Sequence, residues 1–321
     1  MPHPIERLST VTGLIVSLIV LIASPAGGGS AGELPLRSTR TFGIGRAAPL
    51  YSVSGISVDR RGNVYVTDLL DYSLKKFDSR GTYVGKVGRR GTGPGEFRSP
   101  ALSLAIGERL VVLQMEERRI QVFDTSLAYR GGFVVEGGMP VDIAPARPRG
   151  MAIALFGDSS RAIVLRYERP DGNDPVRVAL EPTGKMHPLY AASRIAVCRD
   201  GGLVVAYLFM NRVEFYTPEG RLQRRFSVGG MARPAEDRGS RMVPEDTYFR
   251  KVIVDEAGNI LLLGGNQAPH PGRDIFVFRR DGSFIRTFLL PVRTRVIASG
   301  ENNTLYATDE SGTRVERYVL R

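Results

Sequence analysis

Residues 56–68, Ile-Ser-Val-Asp-Arg-Arg-Gly-Asn-Val-Tyr-Val-Thr-Asp, constrain the fold more than any other part of this chain. Apolar residues alternate up to Asp59, a turn sits at Arg60-Arg-Gly-Asn63, and alternation resumes at Val64-Tyr-Val66. A period of two on either side of a short Gly/Asn turn is a β-hairpin. A third strand follows at Ser73–Phe77, a second turn at Asp78–Gly81 and a fourth strand at Thr82–Val87. Four short antiparallel strands in succession form one blade of a β-propeller.

The pattern recurs. Second strands open at Val64, Leu110, Met151, Leu203, Ile260 and Leu305, at intervals of 41 to 57 residues. A four-stranded blade with its turns needs about 40 to 50 residues, so the two longest intervals carry insertions. The third strands share a period-two pattern ending in an aromatic: Leu74–Phe77, Ile120–Phe123, Val213–Tyr216, Ile275–Phe278 and Val315–Tyr318. Such a ring of aromatics is expected to pack between neighbouring blades. The third repeat is the weakest, with a matching strand at Arg161–Arg166 and two prolines, Pro145 and Pro148, near its start. The sixth repeat ends after its third strand, at the last residue, Arg321. The extended segment Leu36–Phe42 is expected to supply the missing strand, which would close the ring and remove a free edge. The fold class is therefore all-β: a six-bladed β-propeller of four-stranded antiparallel blades, the last blade closed by an N-terminal strand.

Three segments carry a resemblance: Gly62-Asn-Val-Tyr-Val-Thr-Asp68, Leu74-Lys-Lys-Phe-Asp78 and Gly88-Arg-Arg-Gly-Thr-Gly-Pro-Gly-Glu-Phe-Arg-Ser-Pro100. Together they resemble an NHL repeat, of the kind found in exported bacterial six-bladed propellers. The run ending Gly-x-Phe-x-x-Pro is its most specific part. Repeats five and six match in part, and repeats two to four match only in pattern. The resemblance implies a ring used mostly for binding. Some relatives are enzymes: amidating lyases hold zinc through several histidines, and lactonase-like propellers hold calcium through Glu, Asn and Asp in the central channel.

The N-terminus reads as a secretory signal over residues 1–31, with the propeller at 32–321. Val11–Ala23 is an apolar run, short for a membrane span of about 20 residues, and small residues follow it at Ser24-Pro-Ala26 and Gly29-Ser-Ala31. No Cys follows the run, which argues against a lipid anchor. The expected location is periplasmic or secreted, with membrane attachment only if the apolar segment stays uncleaved. Cys198, the one cysteine, cannot form an internal disulfide and is expected to be a buried, inert thiol in a first strand. The net charge is +11, and only five of the 44 basic residues are Lys. That field favours anionic partners. No regularly spaced base-stacking motif is present, so nucleic acid is not an expected partner.

Strand direction divides the loops between two faces. Loops after first and third strands, such as Asp59–Asn63, Asp78–Gly81, Asp200–Gly202 and Asp281-Gly282, are short Asp/Gly turns with a structural role. Loops after second and fourth strands are longer and varied, as recognition loops tend to be, and the longest spans Gly229–Arg250. The candidate ligand-binding residues on that face are Asp68, Asp71, Tyr72, Arg89, Arg90, Arg98, Asn211, Arg212, Asn266 and Asp309. Asp68 and Asp309 occupy equivalent places after Thr at a strand end; they either face the channel mouth or cap their own loops. Arg89, Arg90 and Arg98 form either an anion-binding cluster or a solvated basic loop. Glycines 88, 91, 93 and 95 do not form a phosphate cradle, because no helix follows them.

Catalysis finds little in the sequence. His187 and His270 are isolated, without zinc-ligand spacing, and no nucleophile motif is present. No catalytic residue and no cofactor is assigned, although calcium in the central channel stays open. The expectation is an exported, non-enzymatic binding propeller recognising a protein, peptide or anionic glycan of the cell envelope. The alternative is a metal-dependent hydrolase or lyase with its site in the central channel.

Overall fold

The alternating strands come together as six four-stranded antiparallel blades in a computed structural model of the protein. It describes residues 20–23, 33–43, 48–146, 149–157, 161–183, 187–231 and 244–321. The segment read as a signal therefore lies largely outside the described residues, as does most of the Gly229–Arg250 insertion.

Blade 1 comprises Val53–Val58, Val64–Asp68, Ser73–Phe77 and Tyr83–Val87. Blade 2 comprises Pro100–Ile106, Arg109–Gln114, Arg119–Asp124 and Tyr129–Val134. Blade 3 is formed by Met139–Ala146, Gly150–Phe156, Arg161–Tyr167 and Val176–Pro182. Blade 4 is formed by Ser193–Val197, Leu203–Tyr207, Val213–Tyr216 and Leu222–Val228. Phe249–Val254, Ile260–Gly264, Asp274–Phe278 and Phe284–Leu289 make blade 5. Ile297–Ser299, Thr304–Thr308 and Val315–Val319 make the first three strands of blade 6.

The fourth strand of blade 6 is Ser38–Phe42, which pairs antiparallel with Val315–Val319, Phe42 opposite Val315 and Ser38 opposite Tyr318. The closing strand expected at Leu36–Phe42 is thus present, two residues shorter at its start. Upstream, Leu34–Pro35 runs parallel to the outer strand of blade 5, and Val20–Ala23 parallel to that of blade 4. The first strands of successive blades pack beside one another all the way round, blade 6 against blade 1 included, so they surround the axis. The one helical element among the described residues is a 3-10 turn, Pro188–Ala191, and no described helix is long and apolar enough to cross a membrane.

The core is divided into six apolar clusters, one between each pair of neighbouring blades. The third-strand aromatics sit in them as expected. Phe77, Phe123, Tyr216, Phe278 and Tyr318 are buried. Phe42 of blade 6 meets Phe77 of blade 1 at 6.1 Å, and Phe226 of blade 4 meets Phe278 of blade 5 at 4.9 Å. Blade 3, whose repeat is weakest in sequence, places Tyr167 there, 5.4 Å from Phe133 of blade 2. Cys198 lies one residue beyond its strand; its thiol is buried, and that burial raises its pKa.

The short turns are held by one device. Asp78 Oδ1 accepts from the backbone N–H groups of Arg80 and Thr82, and Asp124 Oδ1 from those of Ser126 and Ala128. Asp59 and Asp281 do the same in their turns. This is Asx-turn chemistry, and it leaves those carboxylates committed to backbone.

Phe42→Ala removes a fully buried ring from the closing strand and should lower stability by about 3–5 kcal/mol in urea unfolding. Val84→Ala, on the exposed outer strand of blade 1, should change it by under about 0.5 kcal/mol.

Candidate functional site

The loop-bearing face is best built from blade 1 outward. Asp68 ends the second strand of that blade and is fully buried. Its carboxylate accepts from Tyr51 N (2.9 Å), Ser52 N (3.0 Å) and Asp71 N (3.3 Å), and pairs with Lys75 Nζ at 2.8 Å. Lys75 is only 2% exposed; it also donates to Pro49 O at 2.6 Å and meets Asp71 at 2.9 Å. Asp71 in turn takes a hydrogen bond from Ser73 Oγ at 2.7 Å and pairs with Lys86 at 3.1 Å. Burial opposes ionisation of Asp71, but its hydrogen bonds from Ser73, Lys75 and Lys86 outweigh that and keep its carboxyl below the ordinary range. Two acids and two lysines thus lock the loop 69–72 against the segment 49–52.

What that lock presents to solvent is apolar and aromatic. Tyr51 is 53% exposed, Leu70 63% and Leu69 37%. Leu69 N donates to Ser52 O at 2.8 Å, which holds the loop carrying Leu69 and Leu70 beside the segment carrying Tyr51. Tyr72 borders it with the Arg90 guanidinium stacked over its ring at 5.7 Å.

The glycine-rich run 88–95 wraps around one of its own side chains. Glu96 accepts from Thr92 N (3.1 Å) and Gly93 N (2.9 Å), and binds Arg89 at 2.8 Å. A Cβ on Gly91 would lie 2.2 Å from Glu96 Oε2, so only glycine lets the loop close on that carboxylate. Two of the loop amides are therefore already occupied by an internal anion. Phe97 is fully buried in the cluster between blades 1 and 2, while Gln121 ties Gly95 N and Glu96 O, and Gln114 ties Arg98 N. This gives the Gly-x-Phe-x-x-Pro run its physical meaning: a wedge between blades, then Pro100 to start the next one.

The remaining predicted residues are distributed round the ring and do not meet. Asn211 grips both backbone groups of Val228 at 2.8 Å. Arg212 pairs with the buried Glu214 and stacks over Tyr207 at 5.0 Å. Asn266 Oδ1 accepts from Thr247 N at 2.6 Å. Asp309 lines an open cleft of about 570 Å³ beside Arg40, Arg314 and Glu316. Its carboxylate accepts from Thr313 N (2.8 Å), Arg314 N (2.9 Å) and Ser311 Oγ (2.6 Å). Asp68, Asp71, Tyr72, Arg89 and Arg90 are the members that the fold assembles, with Arg98 exposed at the next turn of chain.

Sequence reasoning missed Tyr51, Leu69, Leu70 and Lys75. A lysine at a core-facing position of an alternating strand was the available sign that Asp68 or Asp71 had a buried partner.

On the axial side the structure shows one carboxylate already paired with a cation. Lys251 of blade 5 reaches Asp142 of blade 3 at 2.5 Å, and Asp142 Oδ2 accepts from Ile195 N of blade 4 at 2.9 Å. A contact between blades 3 and 5 that passes in front of blade 4 must lie on the axial side. Both oxygens of Asp142, the buried carboxylate there, are thereby engaged. Calcium takes six to eight oxygen ligands, and Asp142 would have to give up one of these contacts to supply one. Off the axis, Glu33, His270 and Asp274 bring their ligand atoms within 4.8 Å of one another. Both oxygens of Asp274 already bond to His270, through its backbone N–H at 2.7 Å and its ring Nδ1 at 3.0 Å.

Comparison of this ring with solved structures identifies its architecture. The chain has the six-bladed propeller fold of the following proteins. A catalytically inactive virginiamycin B lyase variant from Staphylococcus aureus, solved with quinupristin, superposes with a TM-score of 0.56 at 13% identity over 88% of each chain. The calcium-binding protein regucalcin from Agrobacterium tumefaciens gives 0.57 at 12% identity, over 90% of this chain and 96% of its own. A gluconolactonase from Xanthomonas campestris gives 0.56 at 13% identity, over 91% and 99%. At such identities the likeness concerns fold alone. No protein-family model and no curated protein sequence matches the chain.

Asp68→Asn removes one of the two carboxylates that neutralise buried Lys75 and weakens a charge-assisted hydrogen bond, and should cost about 1.5–3 kcal/mol in urea unfolding. Burial opposes ionisation of Asp309, but its hydrogen bonds from Ser311, Thr313 and Arg314 outweigh that, so its folded pKa, like that of Asp71, lies below the ordinary value. Each therefore contributes stability that is present above about pH 4 and lost as pH falls through the folded pKa. Thermal unfolding between pH 7 and pH 2 should show Tm dropping below about pH 4, with a shallower drop in Asp309→Asn.

Proposed function

We propose that this protein is a binding propeller whose loop-bearing face recognises a protein or peptide through the blade 1 platform. The observation that carries this reading is the exposure of Tyr51, Leu69 and Leu70 on a loop held rigid by the Asp68–Lys75–Asp71–Lys86 network. Exposed large apolar side chains gathered in one place mark interaction surfaces. Tyr and Arg are the residue types that anchor interfaces, and here Arg90 and Tyr72 stand at the rim. A rigid platform also loses little conformational entropy on binding. The ligand chemistry that fits is a segment with an apolar side chain for the Tyr51–Leu70 patch and a carboxylate for Arg90 or Arg98. An anionic glycan would use the arginines but leave the apolar patch unused.

The same proposal includes NHL-type repeats and export. Supporting the first is the role of Phe97 and Pro100 in joining blades 1 and 2, the part of the chain in which the resemblance is most specific. Export rests on the apolar run Val11–Ala23 and the small residues after it. An enzymatic role stands beside binding as the second reading, because a lyase and a gluconolactonase share the fold.

The test is affinity capture from envelope extract with three baits: the unmodified chain, Leu70→Ser, and Val84→Ser on the exposed outer strand of blade 1. The same protein should be retained by the first and third baits and lost from the second. Equal retention by all three would refute the platform, and no retention by any would shift weight to a small-molecule substrate.

A further inference from the structure

Sequence reasoning offered only the acids Asp68 and Asp309 for the channel mouth, whereas the structure brings positive charge together there. Four of the six first strands carry a bulge near their N-terminal ends, between Val53 and Gly55, Pro100 and Leu102, Pro140 and Asp142, and Phe249 and Lys251. A bulge turns its extra residue away from the regular alternation. In blade 5 the extra residue is Arg250, and in blade 3 it is Val141. Arg194 of blade 4 bridges both bulges: its Nη1 donates to Val141 O at 2.7 Å and its Nε to Arg250 O at 3.1 Å. Arg295 stands two residues before the first strand of blade 6. These N-terminal ends all open on the loop-bearing face.

We propose that this mouth is an oxyanion site, in which Arg194, Arg250 and Arg295 converge on a phosphate or carboxylate group. Four observations carry it. Arg250 Nε is buried without a hydrogen-bond partner among the described residues, and a buried charged donor left unpaired is costly. The charges acting on Arg250 are those of Arg295 and Arg194; burial first, then these like charges, make its protonated form less favourable. Asp142, a buried carboxylate on the axial side, is already paired with Lys251. Arg194 uses only two of its five N–H donors on carbonyls, so its guanidinium is fixed in place with donors to spare. Oriented guanidinium groups in a partly desolvated mouth are the arrangement that binds oxyanions by charge-assisted hydrogen bonds. A cation would meet repulsion there.

The site is separate from the blade 1 platform, and its test is independent of that reading. Titration calorimetry on the full chain, at constant ionic strength in chloride, would use inorganic phosphate in one arm and galacturonate in the other. Saturable one-to-one binding of either supports the site. Phosphate alone points to phosphate esters, and galacturonate alone to carboxylate-bearing ligands. Arg250→Gln and Arg295→Gln should each weaken binding at least tenfold, while Arg60→Gln, in an exposed turn on the opposite face, and Val84→Ser leave it unchanged. Arg250→Gln should also raise Tm in the absence of phosphate, because it removes a buried like charge; an arginine with a merely structural role would lower it. Absence of saturable binding in both arms, or equal binding by the unmodified chain and both arginine variants, overturns the proposal. Should Arg250→Gln fail to fold, the exposed Arg295→Gln decides.

Discussion

Everything in this molecule depends on the need of each blade to be covered on both faces. Second and third strands such as Val64–Asp68 and Asp274–Phe278 are buried along their whole length, which one sheet in water could not sustain. The solution is a neighbour on each side, and a row of sheets with that requirement has exposed apolar ends unless it closes. Closure is therefore what makes the six clusters between blades complete, and the segment Ser38–Phe42 provides it. The site follows from the same constraint, since a ring of first strands brings residues from blades 3, 4 and 5 to a common axis.

Much of the fold was legible because its signals are local. Turn residues such as Asp78 and Gly81, the alternation of Val64-Tyr-Val66 and the terminal aromatics of third strands are each fixed by a few neighbouring residues, and each recurs. The closing strand was legible by subtraction, because a sixth repeat lacking its last strand needs one from elsewhere. The residues that matter at the surface and the axis were less accessible. Asp68 could be read as an open ligand or as a cap, and only its enclosure by Tyr51 N, Ser52 N and Lys75 distinguishes the two. Leu69 and Leu70 sit in a turn where a single sequence gives no measure of exposure.

The axial arginines illustrate a different difficulty. Arg194, Arg250 and Arg295 come from three repeats, at places shifted by a bulge in one of them. Period-two reasoning puts Arg250 on the wrong side of its strand, because the bulge inserts a residue that the alternation does not count. The sign that was available is simpler: Arg194 and Arg250 are the second residues of their first strands and Arg295 stands two residues before its own, while the first strands of repeats one, two and three contain no basic residue. Asymmetry among repeats marks the places where a ring is doing something beyond standing up.

The pairing that closes the ring has a mechanical consequence. Ser38 lies opposite Tyr318 and Phe42 opposite Val315, so both free ends of the chain leave this strand pair at the same end. Once the parallel contacts of Val20–Ala23 and Leu34–Pro35 have parted, tension along the two ends of this pair would load its hydrogen bonds one after another, as in a zipper, and never all at once as in a sheared pair. Blade 6 is thus where the ring yields to force, and with its parting the two neighbouring clusters lose a wall. A molecule built from six similar blades has, in this respect, a single seam.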